Sequence, residues 1–230
     1  MNTRTEFLTL LQISDSIFPI GSYTQSNGLE TYVQKGIIKD VETSKKYLEK
    51  MLLHNMKYGD ILAVKLSYEA AKNKDLYYIT TIDNWVSSSK TPREIKEGST
   101  KLCFRFIKLV EKLKPTEIIE EYENFIKVKK CCGQHSVAFG IFAAECGIEK
   151  KETLMAYVYN QASCIVNNCA KLIPLGQMEG QKILFEMQDT MNNVIEDLDE
   201  LSIEDLGRCS IGFDIRAMQH EDLYSRMYMS

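Results

Sequence analysis

The residues CCGQH, Cys131 to His135, set two thiols and an imidazole around a glycine, the soft donors that zinc or a related cation takes. A structural zinc site wants four ligands, commonly as two spaced pairs, and only three are local. Cys164 and Cys169 lie five apart on an expected helix, a spacing that does not bring them onto one face. Seven cysteines, an odd number with two adjacent, also argue against a disulfide framework and for reduced thiols in a cytoplasm. The expectation is therefore no metal ligand, with buried thiols packed as small apolar groups and a hydrogen-bonded His135.

Nucleophilic catalysis needs a Cys or Ser beside a base and an orienting acid. Only His54, His135 and His220 are available as imidazole bases, and a helical-bundle hydrolase with a Cys or Ser nucleophile and a generic helical adaptor protein stand as the alternative readings. Carboxylate groups such as Glu120 with Glu121, or Asp197, Asp199 and Glu200, sit in charge-rich stretches that face solvent. The glycine-bearing stretch PIGSYTQSNGLE, residues 19 to 30, has the look of a phosphate loop but lacks the lysine and the spacing that one requires. No nucleotide hydrolysis is expected of this chain. Tyr23 and Gln25, amphipathic side chains on a rigid turn, suit a protein contact instead.

These residues must be positioned by a chain of 230 residues with 28 basic and 32 acidic side chains, a net charge of −4. That balance, with no basic stripe, excludes nucleic acid as an expected partner; KVKK at 127–130 reads as a solvated helix end. The first fifteen residues carry Glu6 and Asp15 and no small-residue cleavage pattern, so a signal peptide is not expected. The longest uncharged apolar stretch, SVAFGIFAA, is far below the roughly 20 residues a membrane span needs. A cytoplasmic protein follows.

Apolar spacing of three and four dominates. Leu48, Met51, Leu52 and Met56 form one stripe, and Ile61, Val64, Tyr68 and Ala71 another. TPRE predicts a helix start, with Thr91 as cap, Pro92 in the first helical position and Glu94 closing a capping box. Ile95, Leu102, Phe106, Leu109 and Leu113 then mark one face up to Pro115. Further helices are expected through EIIEEYENFIKV, through HSVAFGIFAAEC up to Gly147, and along Leu154, Val158, Gln161, Ile165, Cys169 and Leu172. IPLG breaks that stripe, and Leu184, Met187, Met191, Val194 and Leu198 give one more. Near the start, Pro19 and Gly21 form a turn, and Ser26 or Asn27 caps a short helix that ends at Gly36. No stretch alternates like a strand. The fold class is all-α, a single-domain bundle of roughly eight to ten helices over residues 1–230. Its tail, residues 206–230, loses helical periodicity and is expected to be partly mobile.

Four segments in order carry a family resemblance: LLQISDSIFPIGSYTQSNGLETYVQKGIIKD; TPREIKEGSTKL; HSVAFGIFAAECGI with AYVYNQASCIVNNCAKLIPLGQMEGQ; and MQHEDLYSRMYMS. Together they span almost the whole chain and resemble the UreF family of urease accessory proteins. Departures are mild. Gly21, Ser22 and Tyr23 stand where many relatives have Gly-Phe or Gly-Tyr, and Arg226, Met227 and Tyr228 where most end in Arg-Leu-Phe. The Cys131–Cys132 pair is not a family feature, so no metal role carries over.

The resemblance implies an all-helical, dimeric, non-enzymatic protein that joins UreD (UreH in some systems) and the GTPase UreG to deliver nickel to apo-urease. UreF is expected to recruit UreG and govern its GTP hydrolysis, with no stably bound cofactor and nickel handled by the partner complex. Three partner-binding surfaces follow from matching positions. The first is Gly21, Ser22, Tyr23, Ser26, Gly28, Leu29 and Glu30, with the glycines shaping a turn that offers Tyr23 and Glu30. In the second, Gln177 and Gln181 lie four apart on one helix face after the turn of Pro174 and Gly176. The third is the tail, with His220, Glu221, Tyr224, Arg226 and Tyr228, expected to dock on UreD.

Overall fold

The computed structural model describes residues 3–208 and 210–229; Cys209 and Ser230, both inside the tail, lie outside the described residues. The helices are α1 (Thr3–Ile13), α2 (Leu29–Gln34), α3 (Val41–Lys50), α4 (Leu62–Lys72), α5 (Leu76–Ser89), α6 (Arg93–Leu113), α7 (Glu117–Lys127), α8 (His135–Glu145), α9 (Lys150–Leu172), α10 (Gln177–Glu186), α11 (Gln188–Asp197) and α12 (Ile211–Gln219). No strand occurs among the described residues, and the fold is all-α as expected. Between α3 and α4 the rod continues through a wider π segment, Met51–Ile61, in which Gly59 leaves helical angles (φ −116°, ψ −110°).

Local chemistry explains where most helices begin. Asp40 and Thr43 close a reciprocal capping box at the start of α3, and Asp75 accepts from the Tyr78 N–H at the start of α5. At α6 the expected box is absent. Pro92 occupies the cap without a side-chain bond, Thr91 turns back to the Ser89 carbonyl, and Glu94 is engaged elsewhere. The turn into α2 is likewise made by backbone, with Asn27 (φ +52°) and Gly28 (φ +80°) both left-handed and no side-chain cap.

Helix α8 is the centre of the molecule, with every residue from His135 to Ala144 buried. Its Ser, Ala and Gly content lets it press against α4: a Cβ on Gly140 would stand 2.5 Å from the Val64 carbonyl oxygen. Around this pair the expected stripes of α3, the π segment, α4, α9, α10 and α11 bury Leu48, Met56, Ile61, Val64, Leu154, Val158, Leu184 and Val194. In α6 the buried face is Cys103, Phe106, Ile107 and Val110, while Leu113 is exposed, a rotation from the expected line. Buried Lys65 donates to the carbonyls of Leu198 and Leu201, satisfying the chain where α11 ends. The tail differs from the sequence expectation in holding a helix, α12, which packs on α2 and α6.

Candidate partner-binding face

The N-terminal turn is anchored from below by Phe18 and Ile20, both buried, with Phe18 edge-on to Phe106 of α6 at 6.0 Å. Arg105 donates to the Ile20 carbonyl at 3.0 Å, and its guanidinium lies where a Cβ on Gly21 (φ +85°) would fall, 2.2 Å away. Asn168 of α9 donates to the Gln25 carbonyl at 2.8 Å. Held on three sides, the turn projects Tyr23 into solvent at 67 % exposure. Gly28 is needed twice over. Its φ is +80°, and a Cβ there would meet the Ala217 Cα at 2.9 Å, so α12 rests on the entrance to α2.

That approach delivers the tail to Glu30. Its carboxylate is 4 % exposed and accepts from the Met227 N–H (2.7 Å) and the Tyr228 N–H (3.2 Å). His220, fully buried, sets Nε2 3.2 Å from Glu30 and Nδ1 2.6 Å from Glu94. Arg226 donates to the other Glu94 oxygen at 2.7 Å. Both imidazole nitrogens face carboxylate oxygens, so His220 bridges Glu30 of α2 and Glu94 of α6. Outside this cluster, Arg93 pairs with Glu221 (2.6 Å), Gln34 donates to the Ser225 carbonyl (2.8 Å), and the Met229 N–H donates to the Thr24 carbonyl (2.9 Å).

The second surface adjoins the first. A groove lined by Ser16, Ser22, Tyr23, Asn167, Lys171 and Gln177 links the N-terminal turn to the start of α10. Gly176 opens α10, its N–H donating to Glu179, and Gln177 and Gln181 are exposed on one face. Lys171 also lies over the Tyr228 ring, 5.9 Å from its centroid. Burial first, then Glu30, pushes the Tyr228 hydroxyl up to about 12.

All three sequence-defined surfaces thus meet on one face, but not all their residues are presented. Gly21, Ser26, Gly28, Leu29, Glu30, His220 and Tyr228 are buried, because α2 is covered by α9, α12 and the tail. Glu30 in particular is not offered outward; it is the acceptor that closes the tail. Ser22 and Glu221 are half-buried, and Tyr23, Gln177, Gln181, Tyr224 and Arg226 are exposed. Two exposed apolar neighbours went unread in the sequence, Met178 and Phe185. Phe185 follows Gln177 and Gln181 at the same spacing of four, the periodic signal that would have found it.

The CCGQH segment has an internal organiser. Buried Asp83 of α5 accepts from the backbone N–H groups of Cys132 (2.8 Å), Gly133 (3.2 Å) and Gln134 (2.8 Å), and from the Tyr122 hydroxyl (2.5 Å). Cys131 is buried, and burial pushes its thiol up to about 12; Cys132, expected inside, is exposed. Burial likewise pushes up the thiols of Cys103, Cys146, Cys164 and Cys169, the last to about 11. His135 is packed among the rings of Phe106, Phe139 and Tyr157. Contrary to expectation its Nε2 has no hydrogen-bond partner among the described residues, and burial holds the imidazole down to about 4. A high-pKa thiol is a poor nucleophile, which weighs against these five thiols as nucleophiles.

Comparison with known proteins identifies the family. The UreF family model matches residues 38–188. A urease accessory protein UreF from Actinobacillus pleuropneumoniae is 37 % identical over 221 residues, covering 96 % of this chain and 97 % of its own. The chain belongs to the UreF family. UreF proteins from Haemophilus influenzae (37 % identical over 229 residues, 98 % of this chain, 96 % of the relative) and Bacillus sp. strain TB-90 (35 % over 223 residues, 97 % and 98 %) are similarly related. The family match stops short of both the Tyr23 turn and the tail, whereas these UreF relatives align across nearly the whole chain, so the likeness extends beyond the central helices. No helix among the described residues is long and apolar enough to cross a membrane.

Proposed function

We propose that this UreF-family chain is a non-catalytic adaptor of urease maturation that binds UreD (UreH) and the GTPase UreG in the cytoplasm, as a dimer, and times GTP-dependent nickel delivery to apo-urease. The observation that carries it is the convergence on one face of the three segments that resemble the family signature. Tyr23, Gln177, Gln181 and Arg226 stand exposed there on a scaffold fixed by side-chain hydrogen bonds. Aromatic and arginine side chains flanked by amides are the usual anchors of a wet protein interface. Nickel is cargo in this scheme, and the chemistry of hydrolysis belongs to UreG.

Reconstituted activation of apo-urease with UreD, UreG and nickel tests it. Omitting the chain should abolish activation, and Tyr23→Ala with Gln181→Ala should lower it and weaken co-purification of a partner while the thermal melt stays unchanged. Removing residues 221–230 should cost the UreD complex. Full activation without the chain would refute the role; unchanged complexes in both variants would refute the face.

A further inference from the structure

Between α3 and the start of α12 lies a second groove, of about 500 Å³. One wall is α3 and the first turn of the π segment, carrying Lys46, Lys50 and His54 at intervals of four, all exposed. The floor is apolar, with Ile37 and Tyr47, and the opposite wall is the start of α12, where Ile211 is exposed. The Tyr32 hydroxyl reaches across to the Gly212 carbonyl at 3.4 Å and fixes the width.

The charge of this groove runs against the chain. Acidic residues outnumber basic ones in the sequence, 32 to 28, yet among the described residues the lining holds two lysines and a histidine and no carboxylate. Lys46 makes a contact with Glu42 in which both side chains are largely exposed, a weak pair that a better-placed anion displaces. Lys50 has no ion-pair partner among the described residues. The start of α12 adds the positive end of a helix dipole. Lys46 and Lys50 stand one helical turn apart, with the His54 imidazole a further four residues on, over roughly 12 Å of helical rise, and carboxylates at the same spacing on a second helix would meet the two ammonium groups and hydrogen-bond the imidazole.

We propose that this groove docks an acidic amphipathic helix of a partner protein. Its leucine-type side chains lie on the Ile37 and Tyr47 floor and against the Ile211 wall, and its carboxylates face Lys46, Lys50 and His54. This site shares no lining residue with the groove of Tyr23 and Gln177, and stands or falls independently of it.

The test uses the full chain and two fluorescein-labelled synthetic helices of about four turns, identical in their leucine and alanine positions but carrying Glu or Lys elsewhere. Anisotropy titrations should show the Glu peptide binding at least roughly tenfold tighter than the Lys peptide, and weakening as salt is raised. Lys50→Glu with His54→Glu should remove that preference, while the circular dichroism melt, insensitive to two exposed side chains, stays unchanged. Equal binding of the two peptides, or unaltered affinity in the double variant, overturns the proposal. Failure of the Glu peptide, together with a dimer that Ile37→Asp and Ile211→Asp split into monomers, assigns the groove to a second copy and overturns it equally.

Discussion

Replacing Glu30 by Ala tests how the tail is held. The substitution removes the acceptor for the Met227 and Tyr228 N–H groups and one of the two carboxylates on His220. Each bond to a buried charge contributes roughly 1.5–3 kcal/mol, and since the three share one carboxylate their joint loss is about 3–5 kcal/mol rather than the sum. The core helices do not use Glu30, so the loss appears as local opening of residues 220–229 and not as global unfolding. Amide hydrogen exchange followed by mass spectrometry or NMR reads it directly. The Met227 and Tyr228 amides should exchange roughly a hundredfold faster or more, with α8 amides unaffected. Glu30→Gln should fall between, because its carbonyl oxygen still accepts from Met227 while its NH2 cannot accept from Tyr228. Glu221→Ala, which breaks the pair with largely exposed Arg93, should change exchange only slightly. Unchanged protection of Met227 and Tyr228 in Glu30→Ala would show that the tail is held by something other than this carboxylate.

Two further outcomes follow from the packing of the turn and of α8. Gly28→Ala places a Cβ 2.9 Å from the Ala217 Cα at a φ of +80°, costing about 2–4 kcal/mol through strain and overpacking; chemical denaturation should show it, and Ala217→Gly should restore little, since it removes only the Cβ contact at 3.1 Å and leaves the backbone clash and the strained φ. His135→Phe should flatten the acid limb of the stability curve. The folded imidazole is held down to about 4 from 6.5, so the unfolded chain binds its proton first as pH falls, and stability is lost between those values by roughly 3 kcal/mol. Urea melts across that range should lose this slope in the variant, and an identical slope would assign the acid sensitivity to other groups.

The sequence made the helices legible wherever burial follows periodicity. Val64, Leu154 and Val194 sit inside because their stripes demand it, and the small residues of α8 correctly marked a centre. Functions set by distant partners were not legible. Glu94 lies three residues after Thr91, the spacing of a capping box, yet it is claimed by His220 and Arg226 from the other end of the chain. Glu30 looked like an exposed anchor because nothing local covers it; α12 and the tail do. What orders the CCGQH loop was hidden because its organiser, Asp83, belongs to another helix. Helix α12 itself escaped notice, since a nine-residue segment with exposed Ile211 and Ile215 has only Ala217 fully inside.

The contact between Gly28 and Ala217 also bears on how such chains diverge. Position 28 must be glycine for the turn, and position 217 is held to a small side chain because Ala217 is buried with its methyl group facing Gly28. The two sites are far apart in sequence but are not free to vary separately. A homologue bearing a bulky residue at the position of Ala217 must therefore have displaced its last helix from the entrance of α2, and with it the histidine and backbone amides that meet Glu30. Variation at that one alanine is a marker, readable in sequence alone, for relatives whose tails close differently.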